Sequence, residues 1–108
     1  KGLPDYATYK GVSFENDTAV VVFDHCRAGI YFENGPSSDN FEVAGEDKVF
    51  HRAKTWISRN KVYVKSEEVK NPVAVRYAWR NWAKGDLFHD GLPVSSFRTD
   101  NWEVTSSH

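Results

Sequence analysis

Val12-Ser13-Phe14-Glu15-Asn16-Asp17-Thr18-Ala19-Val20-Val21-Val22-Phe23-Asp24 is the stretch that decides the fold. Two runs rich in β-branched and aromatic residues flank Asn16-Asp17, a pair that tolerates positive φ. The spacing predicts a tight hairpin between strands at Tyr9 to Glu15 and Thr18 to Asp24. Ala19 to Phe23 is apolar at every position, the pattern of a central strand covered on both faces.

The same grammar extends outward. In Lys61-Val62-Tyr63-Val64-Lys65 the valines share one face and the lysines the other, as in a half-buried strand, and Ser58 to Asn60 turns the chain into it. From Val73 onward, alternation puts Val73, Val75, Tyr77 and Trp79 on a core face, with Ala74, Arg76, Ala78 and Arg80 opposite. Further strands are expected at Phe41 to Ala44, Val49 to Ile57 and around Phe97. Ala28 to Asn40, dense in Gly, Asn, Pro and Ser, reads as a long exposed loop. No segment offers three turns of helical periodicity. Six or seven short strands predict an all-β fold, a small antiparallel β-sandwich.

The 108 residues suit one core rather than two, and 40% hydrophobic with 15% aromatic content supplies it without staples. With 14 Lys and Arg against 15 Asp and Glu, and no basic face, the footprint of a nucleic-acid binder is missing. Cys26 has no second cysteine to pair with or to share a metal, and His25, His51, His89 and His108 lack ligand spacing, so no metal and no cofactor is expected. No apolar run is long enough to insert in a bilayer. A start at Lys-Gly-Leu-Pro-Asp, without Met, suggests a piece of a longer chain, with residues 1–8 a linker from an upstream domain and 103–108 a frayed tail.

Several residues invite a chemical reading. Asp86-Leu87-Phe88-His89 sets an Asp and a His three apart, as the base pair of a serine hydrolase does. The chain has no strained nucleophile turn to serve them, which favours polar loop residues instead. Asp24-His25-Cys26 suggests a Cys-His pair, but neighbours in a strand point to opposite faces. Glu42, Glu46, Asp47, Glu67 and Glu68 offer carboxylates for a glycosidase pair, although carboxylates at turns are normally solvated. Asn16-Asp17-Thr18 fits a glycosylation sequon, and turn chemistry already accounts for it. Tyr77, Trp79, Trp82 and Trp102 offer either sugar-stacking platforms or core anchors. Trp82 and Trp102, outside the clear strands, are the sugar-binding or interface candidates, and Arg98 beside Phe97 is a third, with Asp100 as its local alternative partner. No catalytic residue is assigned.

Three blocks go beyond composition: Phe-Glu-Val-Ala-Gly-Glu-Asp at 41–47, Glu-Val-Lys-Asn-Pro-Val-Ala-Val-Arg-Tyr-Ala-Trp at 68–79 and Gly-Leu-Pro-Val-Ser-Ser-Phe-Arg-Thr-Asp at 91–100. In this order, with Tyr9 to Val12 and Ala19 to His25 before them, they resemble the C-terminal portion of bacterial sialate O-acetylesterases, over about Tyr6 to Trp102. The resemblance implies a parent of the SGNH hydrolase superfamily that removes O-acetyl groups from sialic acids or related sugars. In that family the Ser, Asp and His of the triad precede the matched segment, so none carries over to this chain. Ala83 to His89 departs from the family's pattern, and His89 falls where the family places no catalytic His. The expectation is a non-catalytic accessory domain of a periplasmic or secreted carbohydrate esterase, inactive alone, with the upstream catalytic domain of the same polypeptide as partner. The alternative is a carbohydrate-binding module for acetylated glycans.

Overall fold

A computed structural model of the chain describes residues 7–33, 35–78 and 85–100. Among these, eleven strands and no helix form three antiparallel sheets. The first sheet runs β1-β2-β7-β6: β1 is Thr8–Glu15, β2 Thr18–Asp24, β6 Lys54–Ser58 and β7 Lys61–Lys65. The second runs β11-β8-β4-β5: β4 is Phe41–Ala44, β5 Phe50–Arg52, β8 Ala74–Tyr77 and β11 Phe97–Arg98. A three-stranded sheet, β10-β9-β3, joins Ile30–Phe32 (β3), Leu87–His89 (β9) and Leu92–Pro93 (β10).

Turn residues set the hairpins. Glu15 pairs with Thr18 across Asn16-Asp17, and Asn16 takes φ 59°, as the sequence predicts. Arg59 and Asn60 both take positive φ between paired Ser58 and Lys61, which matches the twist of the flanking strands. Asp90-Gly91 does the same between His89 and Leu92. In β1 the register shifts between Tyr9 and Gly11. The bulge turns Lys10 towards Asp24, 3.7 Å away, and leaves Tyr9 and Val12 both packed on the core.

All three sheets feed one core. Ala19, Val21 and Phe23 of β2 with Val62 and Val64 of β7 meet Phe41, Val43, Val75 and Tyr77 of the second sheet and Ile30, Phe32 and Leu87 of the third. Phe41 is the hub, with ring centroids 4.6 Å from Tyr77 and 6.2 Å from both Phe32 and Phe97. Along one margin Tyr9 stacks on Phe97 at 4.6 Å, tying β1 to β11. Along the other the chain itself crosses between sheets. Val49 to Ile57, expected as one strand, breaks at buried Ala53, which sends β5 into one sheet and β6 into the other. The Ala53 N–H donates to Phe41 O at 3.2 Å, holding that corner.

Three other expectations change. Ala28 to Asn40 contains β3, whose Ile30 and Phe32 are core residues, so it is not wholly an exposed loop. Val73 precedes β8 and is exposed, whereas Ala74 on the supposed outer face is fully buried. Trp79 and Arg80 lie outside the described residues, as do the linker and the tail except Ala7 and Thr8 at the linker's end.

Candidate functional site

Asp86 is 6% exposed, a rare state for a carboxylate unless polar partners surround it. Ser38 Oγ donates to Asp86 Oδ1 at 2.6 Å and Asn40 Nδ2 to the same oxygen at 3.2 Å. The Ser38 N–H in turn donates to Thr55 Oγ1 of β6 at 2.7 Å, and that hydroxyl donates back to Ser38 O at 3.3 Å. The Glu33 N–H donates to Asp86 O at 2.7 Å. The carboxylate thus ties the segment between β3 and β4 to the start of β9, while the Ser38 backbone ties the same segment to β6.

His89, 3% exposed, points its chemistry elsewhere. Its Nε2 accepts the Ala28 N–H at 3.1 Å, which places the ring proton on Nδ1, a buried atom with no hydrogen-bond partner. A catalytic His must accept a proton from the nucleophile through a free lone pair. Here Ser38 bonds to Asp86, and the His89 lone pair is taken by backbone. Both side chains are thus engaged in hydrogen bonds that tie β9 and its approach to the segments before β3 and β4.

Tyr77 closes this buried cluster. Its Oη accepts the Leu87 N–H at 2.8 Å, and a Cβ on Gly85 would lie 2.6 Å from that oxygen, so only glycine fits there. Burial pushes the phenol up from 10.0 to about 12; the Leu87 N–H opposes the shift and the Asp86 charge adds to it. A folded pKa above the unfolded one means the stabilisation is complete below pH 10 and is lost as pH rises towards 12. The unfolding free energy measured with urea across this range should fall for the native chain by an amount on the order of 2–3 kcal/mol more than for Tyr77→Phe. Parallel pH profiles would contradict this.

The solvent face of the first sheet carries a different arrangement. Ser13, Val20, Tyr63 and Trp56 form one cross-strand row. Trp56 on edge strand β6 is 40% exposed and stacks on Tyr63 at 5.5 Å with planes 9° apart. Tyr63 takes one face of the indole and does not line the groove of about 780 Å³ that Trp56 borders. Three segments line this groove with Trp56: Ser37-Ser38-Asp39, Arg52 to Thr55 and Lys65 to Glu68. Lys54 and Glu67 pair across it at 3.9 Å, and both remain well exposed. A smaller groove of about 340 Å³ holds the His51–Glu68 pair, at 2.7 Å, and has no aromatic wall.

The remaining candidates separate. Trp82 and Trp102 lie outside the described residues. Arg98 sits opposite Arg76 in the register of β11 and β8, and buried Asp100 serves both: bidentate to Arg76 at 3.1 and 2.8 Å, and 4.0 Å from Arg98. The Cys26 thiol donates to Phe23 O at 3.5 Å, so it faces away from a role with His25. Among the described residues no group of three or more His, Cys, Asp or Glu is placed to hold a metal ion. Trp56 was not among the sequence candidates, because its exposure depends on the break at Ala53.

No protein-family model and no curated protein matches this sequence. Among solved structures, the chain is similar to a novel carbohydrate acetylesterase from Xanthomonas citri, with TM-score 0.86 and 38% identity over 94% of this chain. The match takes in 24% of the esterase, so the chain spans about a quarter of that protein's length.

Proposed function

We propose that this chain is a non-catalytic accessory domain of a sialate O-acetylesterase-like carbohydrate esterase, packed on or supporting an SGNH catalytic domain in the same polypeptide. The observation that carries the reading is the match of nearly the whole chain to a quarter of a carbohydrate acetylesterase. The parent reaction is hydrolysis of O-acetyl esters on sialic acid or related sugars, in the periplasm or outside the cell. The hydrogen bonds of Asp86 and His89 support an inactive domain, since neither is free to serve a nucleophile. Arg98, fixed beside Asp100 and 28% exposed, offers the catalytic domain an oriented guanidinium.

Hydrolysis of 4-nitrophenyl acetate and of O-acetylated sialic acid tests this in two arms. The purified 108-residue chain should release acetate no faster than buffer, and the longer polypeptide that carries it should turn both over. Turnover that scales with the concentration of the short chain, or a longer polypeptide without esterase activity, overturns the proposal.

A further inference from the structure

The groove beside Trp56 has features that neither the core nor the Asp86 network explains. An indole exposed on an edge strand is costly to leave in water, yet Lys54 and Ser58, its neighbours on the same face, are polar. Its ring is held flat against Tyr63, so it is a rigid surface rather than a mobile side chain. The groove around it carries charges of both signs, with Arg52, Lys54 and Lys65 against Asp39, Glu67 and Glu68.

We infer that this groove is a glycan-binding site in which a pyranose ring stacks on the open face of Trp56 and its hydroxyls bond to Arg52, Asp39 and Glu67. The axial C–H bonds of a sugar ring carry slight positive charge and complement the negative face of an indole. Hydroxyl groups both donate and accept, so they satisfy carboxylates and a guanidinium together. A protein partner covering the same face would have to desolvate six charges and pair each of them. A sugar replaces their water with its own hydroxyls. About 780 Å³ lies within the range of small-ligand sites and accommodates more than one sugar unit. The inference rests on the esterase reading for the class of ligand, and gives the accessory domain a task besides docking: holding the acetylated chain near the catalytic centre.

The test is a titration of the ¹⁵N-labelled chain with xylohexaose, an O-acetylated xylo-oligosaccharide and N-acetylneuraminic acid at millimolar concentration. The expected result is a set of shifts confined to the Trp56 indole N–H and to amides of residues 37–39 and 52–56. The neutral and acidic arms tell which glycans the site accepts. Trp56→Ala should weaken binding at least tenfold, about 1.4 kcal/mol, and Arg52→Ala should weaken it too, both with an otherwise native amide spectrum. Silence at Trp56 with every sugar overturns the inference, as does unchanged binding by Trp56→Ala. Protection of Trp56 from oxidation in the sugar-free longer polypeptide also overturns it, because a domain contact then covers that face. A silent titration by a chain that is also inactive leaves the accessory reading intact; hydrolysis by the short chain removes that reading whatever the sugars do.

Discussion

Phe41→Ala should lower the unfolding free energy by about 3–5 kcal/mol, the cost of emptying a large aromatic from a packed core. Phe41 has no exposed surface and lies within ring-contact distance of Phe32, Tyr77 and Phe97. Those partners come from β3, β8 and β11, so the cavity would open where strands of two sheets meet. A local collapse cannot fill it, because each neighbour is also held by a ladder: β8 pairs with β4 and β11, and β3 with β9. Small domains are stable by only about 5–15 kcal/mol. The substitution should therefore move the melting temperature by roughly 15 °C or more, taking about 4–8 °C per kcal/mol at this size. Phe14→Ala is the control: Phe14 is 37% exposed near the end of edge strand β1, and its loss should stay within about 1 kcal/mol. Urea unfolding of both variants checks the contrast, and equal losses would mean that Phe41 is not the hub.

The local grammar of the sequence was legible where pairing is between chain neighbours. β2, β4 and β7 have the bounds that alternation implies, and the Asn16-Asp17 hairpin stands where its turn residues put it. Three-residue strands are another matter. Ile30-Tyr31-Phe32 lies among turn residues, and it is a strand only because Leu87 to His89 runs beside it, more than fifty positions away. Asp90-Gly91 was the available signal for β9 and β10, since that dipeptide favours a two-residue hairpin. The break at Ala53 has no such marker. The stretch from Val49 to Ile57, rich in β-branched and aromatic residues, looks like one strand, and only the packing of two sheets shows that it serves both.

The site was legible to the same degree. Tyr63 shares a face with Lys61 and Lys65, so its position on the solvent side follows from alternation. Trp56 joins it there only through the register of β6 with β7, which pairs the two residues directly. Asp86 and His89 stood out as polar residues in a sequence otherwise apolar at 87 and 88, but they are buried, His89 within β9, rather than polar loop residues. Their partners, Ser38 and the Ala28 N–H, come from a segment read as open loop, so the network itself was invisible.

Asp86→Ala should cost about 3 kcal/mol, because it removes the carboxylate that meets the buried Ser38 hydroxyl and the part-buried Asn40 amide. Ser38 Oγ and Asn40 Nδ2 both point to Asp86 Oδ1, and both Asp86 and Ser38 are buried. Asp86→Asn keeps the volume and an acceptor oxygen but loses the charge, so its cost should be nearer 1 kcal/mol. The pair of variants separates charge from shape, and urea unfolding reads both; an alanine variant no weaker than the asparagine one would mean that the hydrogen bonds do not matter. The consequence reaches the Trp56 groove. Ser38 is tied to Asp86 on one side and to Thr55 of β6 on the other, and Ser37 to Asp39 line that groove. Loosening that segment leaves Trp56 stacked on Tyr63 but unfixes Asp39, which lines the same groove. Asp86→Asn, still folded, should therefore weaken sugar binding by a few-fold while the Trp56 indole N–H keeps its unliganded position. Equal affinity in the two proteins would mean that the segment is not part of the site, and that stacking on Trp56 with Arg52 and Glu67 accounts for the whole of the recognition.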